Sequence, residues 1–139
     1  MNAKPLGWNP LRWECERDGC FNKLKRPKIE QFAECFPGKI NFSDVDGIVE
    51  ISGNALLMEW KPDVIEFSKG QRIMYERLTV GRRFSVLCIA GNAETMIVSH
   101  QSGFVDGRFR QWKPATLGGV KTAIRGWVIW ARKHPRLGG

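Results

Sequence analysis

The chain has 139 residues, 42% hydrophobic and 11% aromatic, enough for the core of one domain spanning 1–139. No run of 18 apolar residues offers a transmembrane helix, and residues 1–13, MNAKPLGWNPLRW, lack the apolar stretch of a secretion signal, so no membrane association and a cytoplasmic location are expected. The net charge of +8 is uneven: residues 40–67 hold six acids against Lys61, a net −5, which leaves +13 for the rest. A basic body around an acidic centre suits a polyanion held over a cation site, and equally an ordinary solvated basic surface.

Residues 1–26 read as an irregular segment punctuated by Pro5, Gly7, Pro10 and Gly19, with Trp8 and Trp13 docking on the core. The cysteines Cys15, Cys20, Cys35 and Cys88 are expected to be free thiols in a cytosolic chain. Cys15 and Cys20 have the spacing of zinc ligands, but no second close pair follows, so structural Zn2+ is the less favoured alternative. A basic cluster comes next, Lys23, Lys25, Arg26 and Lys28. Pro27 fits the first turn of a helix, Ile29, Phe32, Ala33 and Phe36 make its buried stripe, and Pro37-Gly38 ends it. Glu30 and Glu34 stand one turn apart beside that stripe.

Residues 43–61, SDVDGIVEISGNALLMEWK, read as a hairpin turning at Gly53-Asn54. An even loop length puts even-numbered residues of its first strand on the same face as odd-numbered residues of its second, so Asp44, Asp46, Glu59 and Lys61 share a face. A helix is predicted over 69–80, a buried strand over 84–90, a further strand over 94–100, a polar and basic loop over 101–115, and a helix from about Leu117 to Lys133. The core then spans 27–100, with a C-terminal helix over 116–134. The fold class is α/β, a small mixed central sheet flanked by helices.

Two carboxylates and a lysine on one sheet face have a chemical use. Carboxylate oxygens hold Mg2+ or Mn2+, a bound metal acidifies its water, and a lysine is a mobile point charge that can orient a nucleophile. Such acids beside a lysine are, as often, merely salt-bridged. Gln71 and Tyr75 likewise read either as site residues or as a polar first-turn residue and a core aromatic. Trp112 and Trp130 could stack on unpaired bases or fill the core.

The pattern Asp46-x12-Glu59-Trp60-Lys61, followed by Gln71-x3-Tyr75, resembles the PD-(D/E)xK nuclease superfamily, in particular VRR-NUC domains and Holliday-junction resolvases, and small phage-encoded proteins of this type. The resemblance covers about residues 27–90; the motif's Pro is absent, Val45 standing before Asp46. It implies a restriction-endonuclease-like αβββαβ core and a Mg2+- or Mn2+-dependent deoxyribonuclease, in the host cytoplasm if phage-encoded, with homodimers known among relatives. Carried over residue by residue, Asp46, Glu59 and the Trp60 carbonyl bind metal, and Lys61 is the catalytic lysine. Glu30, with Glu34 next, is the helix glutamate, and Gln71 touches the site, supported by Tyr75. Lys23, Lys25, Arg26, Lys28, Arg72 and Tyr75 are expected to contact DNA. The alternative is a non-catalytic DNA-binding or inhibitor protein on the same kind of fold.

Overall fold

A computed structural model describes residues 29–40, 42–43 and 45–136. Trp8, Trp13, Cys15, Cys20 and the cluster Lys23, Lys25, Arg26 and Lys28 lie outside the described residues, as do Asp44 and the side chain of Glu30. The chain divides into two compact units, Met1–Asp44 and Val45–Gly139.

In the first unit the predicted α-helix is a 3-10 helix, Ile29–Cys35. Seven residues are too few for a self-sustaining α-helix. With three residues per turn, positions i+4 and i+7 leave the face of i, so the expected stripe does not form. Phe32 is 53% exposed, and Phe32 and Phe36 instead set their rings edge-on to Phe42, at 6.3 and 5.2 Å. Glu34 and Cys35 are exposed.

The second unit is α/β, a five-stranded mixed sheet with two α-helices. In chain order its elements are β1 (Gly47–Ile51), β2 (Asn54–Lys61), α1 (Lys69–Leu78), β3 (Phe84–Asn92), β4 (Ile97–Val105), β5 (Arg108–Pro114) and α2 (Leu117–Lys133). The strands lie side by side in chain order. Only β2 and β3 pair in parallel, as the α1 crossover between them requires; the other pairs are antiparallel. Two strands precede α1 among the described residues.

Alternation along β2 divides the core between two faces. Ala55 and Leu57 pack with Val86, Cys88, Phe104 and Tyr75 of α1. Leu56 packs with Trp127 and Ala131 of α2, and Met58 and Trp60 meet the neighbouring cluster of Ile89, Val98 and Val120. Phe67, between β2 and α1, closes the first cluster. Its ring packs edge-on against Tyr75, Phe104 and Phe109 and stacks on Trp112, with centroids 5.4 to 6.3 Å away.

The β1–β2 turn falls one residue earlier than predicted. Ile51 pairs with Asn54, so Ser52 and Gly53 form the turn, with φ of +55° and +87°. Both values are left-handed, as a type I′ turn needs to match the twist of the strands. A Cβ at Gly53 would collide with the Arg136 carbonyl. Asn54 is the first residue of β2 and fully buried. Its Nδ2 donates to the carbonyls of Ala131 and His134, at 3.3 and 2.9 Å, and its Oδ1 accepts from Arg136 Nε at 2.6 Å. The end of α2 is thereby fastened to the hairpin.

The predicted loop over 101–115 is a second hairpin: β4 runs on to Val105, and β5 follows a two-residue turn. That turn is Asp106-Gly107, with φ of +50° and +78°. β5 is an edge strand that pairs only with β4, and its arginines and lysine are exposed. Its mixed polarity hides the two-residue alternation by which a half-buried strand is recognised.

Candidate active site

β2 carries the acids where the first strand begins. β1 and β2 pair from Gly47 with Met58 to Ile51 with Asn54, and the N–H of Asp46, one residue before that ladder, donates to the Met58 carbonyl at 3.1 Å. The parity expected from the even loop holds over the paired residues Gly47 to Ile51; Asp46 lies just beyond them. Asp46 Oδ2 accepts the Trp60 N–H at 2.6 Å. The N–H and carbonyl of one strand residue point to the same side. The Trp60 carbonyl accordingly faces the β1 side, beyond the first residue of β1. Its indole turns to the other face, where Nε1 donates to the Gly91 carbonyl at 3.0 Å.

Glu59 is buried, 8% exposed, and three donors meet its carboxylate. Gln71 Nε2 donates to Oε1 at 3.2 Å, Lys61 Nζ lies 3.3 Å from the same oxygen, and the Tyr75 hydroxyl donates to Oε2 at 2.9 Å. Burying a carboxylate is tolerable only with such partners, and hydrogen bonds to a charged group are worth about 1.5–3 kcal/mol each. The Lys61 ammonium also lies 5.5 Å from the centre of the Phe67 ring.

Helix α1 delivers Gln71 and Tyr75 through its N-cap. The Ser68 hydroxyl accepts the Gln71 N–H at 3.2 Å, the first half of a capping box. In a complete box the Gln71 side chain would return to the cap. Here it reaches Glu59, so Gln71 serves both the helix start and the acid. Tyr75, one turn on, is fully buried. Burial first, then the Glu59 charge and the hydrogen bond to it, push the phenol well above the ordinary tyrosine range, so the hydroxyl stays a donor. Cys88 of β3 pairs with Glu59 in the sheet. Burial pushes its thiol up to about 12, with the Glu59 charge adding to the rise. The thiol is thus an inert core group, and nothing in the sequence marks it as a neighbour of the acid.

Asp46, Glu59, Lys61, Gln71 and Tyr75 are thus brought together in one unit. Glu30 and Glu34 belong to the other. Arg72 is engaged within the protein: its Nε bonds Glu76 at 2.9 Å and its guanidinium lies 5.6 Å from the Phe109 ring centre. The indoles considered for base stacking are also occupied. Trp112 stacks on Phe67 and donates to the Ile65 carbonyl at 3.1 Å, while Trp130 has Arg82 at 4.0 Å and His134 at 4.8 Å.

Among the described residues no group of three or more His, Cys, Asp and Glu is gathered as for a metal. The donors at hand are Asp46, Glu59 and the Trp60 carbonyl. Mg2+ needs no more than one or two carboxylates with several waters. A carboxylate has about four lone-pair sites. Gln71, Lys61 and Tyr75 occupy most of those of Glu59, whereas the Asp46 carboxylate has one contact among the described residues, to the Trp60 N–H. The donor set fits a water-rich divalent cation, with Asp46 the freer ligand. No helix among the described residues is long and apolar enough to cross a membrane. Compared with family models, curated proteins and solved structures, the chain matches none.

Proposed function

We propose that the protein is a metal-dependent nuclease of the PD-(D/E)xK type that hydrolyses phosphodiester bonds in DNA. The observation that carries this reading is the convergence on Glu59: Lys61, Gln71 and Tyr75 all reach its carboxylate, and the Asp46 carboxylate accepts the N–H of the next residue, Trp60. The reading uses β1 and β2 as the catalytic hairpin, α1 as the supporting helix and β3 as the parallel strand after it. Asp46, Glu59 and the Trp60 carbonyl would hold Mg2+ or Mn2+, which supplies an acidified water and neutralises charge on the phosphate. Lys61 orients the attacking water and balances charge at the scissile phosphate. Gln71 and Tyr75 fix the rotamer of Glu59. The positive charge outside residues 40–67 holds the DNA backbone.

The test is incubation of the purified protein with linear, circular, single-stranded and branched DNA, with and without Mg2+ or Mn2+. Metal-dependent cleavage is expected, and Lys61→Ala is expected to abolish it while folding and DNA binding persist. Full turnover in that variant removes Lys61 from the mechanism, and no cleavage of any substrate sinks the nuclease reading. One observation favours the non-catalytic alternative: the lone pairs of Glu59 are mostly used by the protein itself, as in a structural ion pair. DNA binding without cleavage in either metal is the outcome that selects it.

A further inference from the structure

A cavity of about 410 Å3 lies between α2 and the β3–β5 part of the sheet, and it shares no residue with the Glu59 cluster. Its volume is within the range of small-molecule sites, roughly 300–1,000 Å3. Leu56, Leu87, Ile124 and Trp127 supply apolar wall. Among the described residues the lining includes three cations, Arg82, Arg110 and Lys113, and no carboxylate.

Unsatisfied polar groups collect there. Among the described residues, buried Arg82 Nε, Gln101 Oε1 and Trp127 Nε1 have no hydrogen-bond partner, and all three residues line the cavity. Ser102 Oγ, also without a conventional partner, lies next to the Cys88 thiol, a weak hydrogen-bonding group. Ser102 pairs with Cys88 in the sheet, so its hydroxyl lies on the α1 face, away from this cavity. An orphaned buried donor or acceptor costs about 1–3 kcal/mol. Three such atoms from residues lining one cavity are the pattern of a site whose ligand supplies the partners.

Gly126 borders the same space. It sits inside α2, where glycine is about 0.8–1.0 kcal/mol worse than alanine. A Cβ on it would meet nothing within 4 Å, so the folded chain does not need the glycine. Gly126 is exposed and lies at the rim of the cavity.

The chemistry narrows the ligand. Three cations call for an anion. Inorganic phosphate would leave the apolar wall bare. A hydrocarbon carboxylate has no group for both the Gln101 amide and the Trp127 N–H. A base edge, bearing donors and acceptors on a flat apolar body, answers both. We propose that this cavity binds a single nucleotide, its base between the sheet and α2 and its phosphate at Arg82, Arg110 and Lys113. Trp130 is a fixed wall of the site, held by the Arg82 guanidinium on its ring. The proposal does not depend on the nuclease reading.

The test is calorimetric titration of the full chain, in EDTA, with the four common 5′-mononucleotides, ribose 5-phosphate and inorganic phosphate. Saturable binding of one equivalent of at least one mononucleotide is expected, about tenfold or more tighter than either control, as a single recovered buried hydrogen bond allows. Gly126→Leu should reduce that affinity at least about tenfold by crowding the rim of the cavity. Trp127→Phe should weaken binding by removing one donor. Far-UV circular dichroism checks that each variant is folded, and Gly126→Leu stands alone if Trp127→Phe is not. The proposal is overturned by no saturable mononucleotide binding, by equal binding of inorganic phosphate, or by unchanged affinity in folded Gly126→Leu.

Discussion

At Glu59 the protein surrounds one buried carboxylate with an amide, an ammonium and a phenol, and this decides how each neighbour answers substitution. Glu59→Gln keeps the shape but offers an NH2 where Gln71, Lys61 or Tyr75 now donates. The variant is expected to lose about 2 kcal/mol of stability in metal-free buffer, the scale of a lost hydrogen bond to a charged group. Asp46→Asn retains an acceptor for the Trp60 N–H and should change stability by less than about 0.5 kcal/mol, as substitutions that preserve the local bonding do. Urea denaturation of both variants checks the contrast; equal losses would contradict the unequal engagement of the two acids. Tyr75 gives a pH test. Its folded-state value is raised above the unfolded value of 10.0, so its contribution is complete below pH 10 and is lost as pH rises beyond it. Cys88 acts in the same direction from its ordinary 9.0 towards about 12. Tyr75 is the only tyrosine in the chain, so tyrosinate absorbance reports this one phenol. The absorbance is expected to stay low past pH 10 and to rise together with loss of far-UV ellipticity. An ordinary titration near 10 in the folded protein would mean that the phenol is not buried against Glu59.

At the scale of elements, the two hairpins show what was legible in the sequence. The β1–β2 pairing keeps the expected parity because a loop of even length fixes it whichever two residues turn. The turn itself was misplaced by one residue, since Asn54 is a common turn residue and its role as a buried link to α2 depends on residues 77 to 82 positions away. β5 reads as loop although Asp106-Gly107 is a strong hairpin signal. The exposed Arg108, Arg110 and Lys113 of an edge strand look like loop to any reading of apolar alternation. Helix α2 was read to its observed bounds, Leu117–Lys133, because its apolar face is long and periodic. The N-terminal helix misled for the opposite reason: its spacing was helical, but it is only seven residues long. Gln71 and Tyr75 were singled out through a family resemblance, and the capping role of Gln71 was legible in Ser68-x-x-Gln71 alone. The Ser52-Gly53 turn carries its own expectation. Gly53→Ala should destabilise by about 1–3 kcal/mol, through a strained left-handed residue and the collision with the Arg136 carbonyl. Ser52→Asn should be neutral or slightly stabilising, since asparagine tolerates that φ. Thermal denaturation of the two variants measures both.

Across the whole unit, sheet and helices are joined by contacts of very different reach. The hairpins β1–β2, β3–β4 and β4–β5 bring together neighbours in sequence. The link from Asn54 to Ala131, His134 and Arg136 closes a loop of about 80 residues. Closing that loop carries about 1.8 kcal/mol more entropy cost than closing one of about 10 residues. That difference has a consequence in time. Contacts so costly to close are made after the local hairpins, so the link is expected to be absent from the folding transition state. Asn54→Ala should then leave the folding rate nearly unchanged and accelerate unfolding by the full loss of stability, a shift confined to the unfolding arm of a chevron plot. An equal slowing of folding would place the link in the nucleus. If it lies outside, Asn54 governs how long the assembled unit persists rather than how quickly it assembles, and a single buried amide sets the protein's lifetime against unfolding and the proteolysis that follows it.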